Sequence, residues 1–108
     1  MEKINPAWSK FGIVTICEKC GKKLSVDNVG LNPAVMIKDE IKKTLINENL
    51  WGEIRVLNST CLDICPDQKI AVSVLKPNSE PYALIFDPKT EKQKLLETIR
   101  HLATDTTD

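Results

Sequence analysis

Hydrophobic and polar positions along the chain switch between two periods. Phe11 to Cys17, FGIVTIC, is a short apolar, β-branched run and predicts a buried strand. Asn32-Pro33 then carries the marks of a helix start, with Asn as N-cap and Pro at the first helical position. Ala34, Ile37, Ile41 and Leu45 follow at spacings of three and four, so they share one helix face. Lys38, Lys42 and Lys43 lie mostly away from that face, and the helix is expected to end near Asn47 to Asn49. Alternation returns in EIRVLN at 53 to 58, which predicts a second strand. Two further β-like runs, Lys69 to Leu75 and Tyr82 to Phe86, flank a turn from Lys76 to Glu80 and predict an antiparallel hairpin. Pro81 falls at a strand edge, where a missing N–H does little damage. After the turn at Asp87-Pro88, Thr90 and Gln93 fit a Thr-x-x-Gln capping box. Leu95, Leu96, Ile99, Leu102 and Ala103 make a helical stripe behind it. The stretch from Gly21 to Leu31, with Asp27, Asn28 and Gly30, reads as a loop.

The predicted order is β-α-β-β-β-α. A strand–helix–strand unit favours a parallel pair with a right-handed crossover. The hairpin adds antiparallel strands, and the last helix packs back on the sheet. The expected fold is therefore an α/β, thioredoxin-like sandwich on a mixed four-stranded sheet. At 108 residues the chain fits one domain, with a core from about 11 to 103 and flexible ends at 1–10 and 104–108. No internal repeat or low-complexity segment is present.

Charge narrows the partners. Lys plus Arg equals Asp plus Glu, and a protein without a basic surplus is not expected to bind nucleic acid. No run approaches the roughly 18 apolar residues of a spanning helix, so no membrane role is expected. The opening stretch MEKINPAWSKFGIV does not read as a signal peptide, and the expected location is cytoplasmic. No Ser-His-Asp set, Walker loop or dinucleotide glycine pattern is present, so a conventional hydrolase or nucleotide enzyme has nothing to build on.

The chemistry resides in four cysteines arranged as two pairs: Cys17 and Cys20 in TICEKC, Cys61 and Cys65 in TCLDIC. In a reducing compartment such pairs point to metal or redox chemistry more than to structural disulfides. If the first two strands are parallel, their C-terminal ends share one edge, and both cysteine loops leave from it. Four thiolates suit tetrahedral zinc or a [2Fe–2S] cluster. The bland alternative, four unrelated thiols, does not account for the pairing. A third reading is a thiol–disulfide protein using Cys17 and Cys20. It lacks a helix start at the motif, because Asn32-Pro33 lies twelve residues beyond Cys20. It also leaves Cys61 and Cys65 unexplained.

CLDIC after a strand ending in IRVLNST and followed by KIAVSV resembles the second half of the thioredoxin-like [2Fe–2S] ferredoxins. The order of elements is also similar over roughly residues 11 to 103. A related group of small metal-binding proteins uses C-x2-C with C-x3-C on a similar frame. The resemblance implies that Cys17, Cys20, Cys61 and Cys65 hold a [2Fe–2S] cluster for one-electron transfer. It implies further a redox partner protein, a homodimer and no catalytic activity of the chain's own. The alternative is a structural zinc protein with the same four ligands.

The remaining chemical residues have plainer readings. His101, the only histidine, is expected at an exposed position near a helix C-terminus. Trp8 and Trp51 are expected to pack or anchor an interface. Lys19, Lys22 and Lys23 form a solvated face that would steer an acidic partner if a redox centre lies beneath.

Overall fold

A computed structural model describes residues 1–4, 6, 10–24, 32–64 and 66–104, the last two by backbone only. Strand β1 (Gly12–Cys17) leads into a six-residue helix α1 (Glu18–Lys23). Helix α2 (Pro33–Asn47), strands β2 (Ile54–Ser59), β3 (Ile70–Leu75) and β4 (Tyr82–Phe86), and helix α3 (Lys92–Thr104) follow.

The fold is mixed α/β, with one four-stranded sheet in the order β2-β1-β3-β4. β1 and β2 run parallel, joined through α2 as the spacing predicts. β3 is antiparallel to both β1 and β4. Alternate strand positions supply one apolar face: Val14 and Ile16, Ile54 and Val56, Ile70, Val72 and Val74, and Phe86 are all buried. Ala34, Ile37, Ile41 and Leu45 of α2 join the same core, as do Leu95, Ile99 and Leu102 of α3. The hydrophobic stripes of both long helices are thus the faces that the periodicity marks. On the opposite sheet face Leu57, Leu75 and Ile85 stay exposed, while Thr15 and Ser73 bond each other across β1 and β3 at 2.5 Å. The helices are tied at their surfaces: Arg100 of α3 grips Glu48, just past α2, through Nε at 3.2 Å and Nη2 at 2.6 Å. Lys92 pairs with Glu40 at 2.9 Å. Such exposed pairs contribute at most about 1 kcal/mol each.

Asn32 caps α2 as expected, its Oδ1 accepting from Ala34 N–H at 2.9 Å, with Pro33 next. Two expectations need correction. The segment after Cys17 is not all loop, because Glu18–Lys23 is helical. Glu18 in its first turn and Lys22 and Lys23 in its last complement the helix dipole, a signal too short to stand out. The expected box at Thr90 and Gln93 is also displaced. Asp87 O accepts from Thr90 and Glu91 N–H, Asp87 Oδ1 accepts from Lys89 N–H, and Glu91 Oε1 reaches back to Asp87 N–H at 2.9 Å. The Asp-Pro turn draws Thr90 into itself, and the first helical bond, from Leu95 N–H, goes to Glu91 O.

Trp51 is half-buried against the core, with Lys42 Nζ and the Arg55 guanidinium 5.2 and 4.8 Å from its ring centroid. His101 is exposed, as are Lys19, Lys22 and Lys23. Trp8, the turn residues Asp27, Asn28 and Gly30, the Ala103 side chain and residues 105–108 lie outside the described set. Among the described residues no helix is long and apolar enough to cross a membrane.

Candidate metal centre

The pairing of β1 with β2 decides where the thiols go. The parallel register runs from Gly12 opposite Ile54 to Cys17 opposite Ser59, so both strands end side by side. Two residues past Ser59 is Cys61. The second cysteine loop therefore begins beside the first pair, as the topology requires.

Cys17 has two positions at once: it ends β1 and caps α1. Its Sγ accepts from Cys20 N–H at 3.3 Å, which places Cys20 one turn along the helix instead of in a loop. Cys17 is 0% exposed and Cys20 only 7%. Two asparagines lock this corner. Asn32 Nδ2 donates to Glu18 O at 3.0 Å, tying α1 to the start of α2. Asn58 Nδ2 donates to Ile16 O at 3.2 Å and to Ala34 O at 3.1 Å, tying β2 to β1 and α2. Gly21 completes the fit, because a Cβ there would strike Asn32 Oδ1 and come within 2.5 Å of Ala34 Cβ. Sequence reading assigned Asn32 only a capping role and assigned Asn58 and Gly21 none. Both act through carbonyls and contacts that exist only after the elements meet.

The second loop folds over the first pair. Cys20 Sγ lies 3.9 Å from Ile64 O, a long sulfur contact. Cys61, half-buried, accepts from Asp63 N–H at 3.4 Å, an arrangement that Asp63 allows by taking φ of 59°. Leu62 and Ile64 pack against the core. Cys65 lies outside the described residues. Among the described residues no three His, Cys, Asp or Glu side chains group closely enough to hold one ion, and the described thiols are free of disulfides.

The two buried thiols differ electrostatically. Burial pushes the Cys17 thiol up, but hydrogen bonds from Cys20, Leu62 and Lys19 outweigh it, leaving Cys17 below the ordinary thiol value. For Cys20 burial wins, helped by the neighbouring Cys17, against the pull of Ala71 N–H and Lys23, and its thiol is raised. A small cavity of about 210 Å³ reaches Cys20 between Lys23, Asp67 and Lys69. A larger cleft of about 380 Å³, lined by Met36, Ile37 and Pro88, opens between α2 and the start of α3 and has no thiol in its wall.

Comparison of the chain with known protein families, curated proteins and solved structures finds no match.

Proposed function

We propose that the chain is a small thioredoxin-like electron carrier, with Cys17, Cys20, Cys61 and Cys65 holding a [2Fe–2S] cluster. The observation that carries the reading is the end-to-end register of β1 and β2, which sets the 61–64 loop over Cys17 and Cys20. The parallel β1–α2–β2 unit, the antiparallel hairpin and the final helix support the thioredoxin-like frame.

The surroundings of the Cys17 sulfur fit a thiolate-bound centre. Cys17 Sγ accepts from Cys20 N–H at 3.3 Å, and this donor, with the backbone of Leu62 and Lys19, holds its thiol below the ordinary value. Such donors favour the charged sulfur over the neutral thiol, the form that metal binding requires. A buried hydroxyl without a partner among the described residues, Ser59 Oγ, stands at the same edge. When bound, a [2Fe–2S] cluster supplies a one-electron couple whose potential the protein tunes by burial and hydrogen bonds to sulfur. Lys19, Lys22 and Lys23 are placed on the exposed side of α1 to meet an acidic redox partner. The proposed setting is cytoplasmic, with neither nucleic acid nor membrane as partner and with the chain acting as a homodimer.

Structural zinc on the same four ligands is the nearest competitor. One observation also favours a thiol–disulfide role: Cys17 caps a helix, the feature that the sequence did not reveal, and its thiol is lowered while that of Cys20 is raised. Burial weighs against it, because a Cys17 with no exposed surface presents no sulfur to a substrate disulfide.

Purification without oxygen separates the three. Reddish-brown protein with two irons and two acid-labile sulfides per chain is the expected result, lost on replacing any of the four cysteines by Ser. Colourless protein with one zinc per chain establishes the competitor. Absence of both metals with a reversible Cys17–Cys20 disulfide establishes the thiol role.

A further inference from the structure

We propose that Ser59 belongs to the sulfur site, its hydroxyl donating a hydrogen bond to the thiolate-bound centre and raising that centre's affinity for an electron. The inference rests on the cluster reading above. Ser59 is the last residue of β2 and the register partner of Cys17, the last residue of β1. Register partners on neighbouring strands project to the same face of a sheet, with the strands about 4.8 Å apart. The hydroxyl therefore stands beside the first ligand, two residues before the third.

Ser59 Oγ is buried and, among the described residues, has no hydrogen-bond partner. Buried hydroxyls nearly always have one, so this group calls for an acceptor that the described residues do not supply. The contrast on the same sheet face is direct. Thr15, two residues before Cys17 on β1, and Ser73 satisfy each other across β1 and β3. Ser59 sits on an edge strand with Cys17 as its one lateral neighbour, and the Cys17 sulfur already accepts from Cys20 N–H. Sulfur carrying the charge of a bound centre is the acceptor that this position offers.

The consequence for electron transfer follows from charge. One electron arriving from the partner protein adds negative charge to the sulfurs, while no covalent bond forms or breaks. A hydrogen bond to sulfur strengthens as that charge grows, so the donor favours the reduced state. Removing it shifts the couple toward the oxidised state.

The test compares wild type, Ser59→Ala, Ser59→Thr and Ser59→Val, each reconstituted and matched for iron and sulfide content. The Thr and Val variants share a β-branched shape suited to a strand and differ only in the hydroxyl. They keep the comparison valid even if the Ala variant fails to fold. Midpoint potentials are measured by spectroelectrochemical titration. The Ala and Val variants are expected to favour oxidation about tenfold more than wild type, a fall of about 59 mV for a one-electron couple. The Thr variant is expected to stay near wild type. Without metal the order reverses, because Ala carries no orphan hydroxyl, and Ser59→Ala should be at least as stable as wild type in urea. Equal potentials in the loaded Thr and Val variants overturn the role of Ser59 and leave the cluster standing. A wild-type chain that takes up no iron and sulfide overturns the cluster reading itself, and this inference with it.

Discussion

Replacing Gly21 by Ala adds one methyl group to a short helix, yet it is expected to destabilise the fold and loosen the proposed metal centre. Gly21 is buried in the middle of α1, where that helix crosses the start of α2. The new Cβ would strike Asn32 Oδ1, Ala34 Cβ at 2.5 Å and Ala34 N at 2.7 Å. Neither atom of Ala34 can swing aside by changing a rotamer. The Asn32 oxygen can turn only by giving up its bond to Ala34 N–H. Overpacking of this kind costs about 1–3 kcal/mol. Loss of the Asn32 cap costs about 1 kcal/mol more. Ala in place of Gly inside a helix returns about 1 kcal/mol. The net loss is then about 1–3 kcal/mol by these terms. With a urea slope of about 1–2 kcal/mol/M, the midpoint should fall by roughly 1 M. Gly52→Ala is the matched control, since a Cβ there meets nothing within 4 Å. It should change stability by under about 0.5 kcal/mol. Urea unfolding of the metal-free proteins, followed by circular dichroism, measures both. A Gly21→Ala variant as stable as the Gly52 control, or stabilised by helix propensity alone, would refute the close docking of α1 on α2. Because α1 carries Cys20, retention of the proposed metal centre against a chelator should also fall, by about tenfold or more for a disturbed outer shell.

Asn58→Asp should place a carboxylate against the carbonyls of Ile16 and Ala34, which now accept from Asn58 Nδ2. The neutral acid can still donate to one of them, so its folded pKa should lie above the unfolded value of about 3.9. Stability should be nearest to wild type at or below that pH and fall as pH rises through the folded pKa, reaching a loss of about 2–3 kcal/mol at neutrality. A larger deficit in urea midpoint at pH 4 than at pH 7 would contradict it. Chelation of the proposed metal should leave far-UV circular dichroism and cooperative unfolding in place, because the core from Val14 to Leu102 closes mainly through aliphatic side chains. A chain that unfolds on metal removal would show the centre to be structural. Ile99→Ala, at a position 1% exposed, should cost about 2–5 kcal/mol in the same urea assay. A loss under 1 kcal/mol would mean that α3 is not docked on the sheet.

The long elements were legible from the sequence because their signals are local and repeated. Ala34, Ile37, Ile41 and Leu45 recur with the helical period, and Asn32-Pro33 marks their start with two residue types suited to nothing better. Strand bounds agree to within about a residue for the same reason, each strand having an alternating or β-branched run between turn residues. α1 escaped because a six-residue helix has almost no propensity signal of its own. Its stability comes from Gly21 fitting against Ala34 and from Asn32 holding Glu18 O, contacts that span a gap in the sequence. The displaced cap of α3 has a similar origin: Thr90 is a fair N-cap in isolation, but Asp87 closes a turn around it first.

The candidate site divides along the same line. By itself the chain marked which side chains are candidates for the chemistry, since two close pairs of cysteines are a statement about residue type and spacing alone. Tertiary structure decided what Cys17 and Cys20 face. Cys17 and Ser59 are neighbours only because β1 and β2 pair in that register, and a slip by one residue would turn the serine to the opposite face. Burial of Cys17 and the nearness of a hydroxyl with no partner among the described residues follow from that pairing. Hydrophobic period is written in a few adjacent residues, whereas register and desolvation depend on backbone bonds between segments some forty residues apart, which no local pattern encodes.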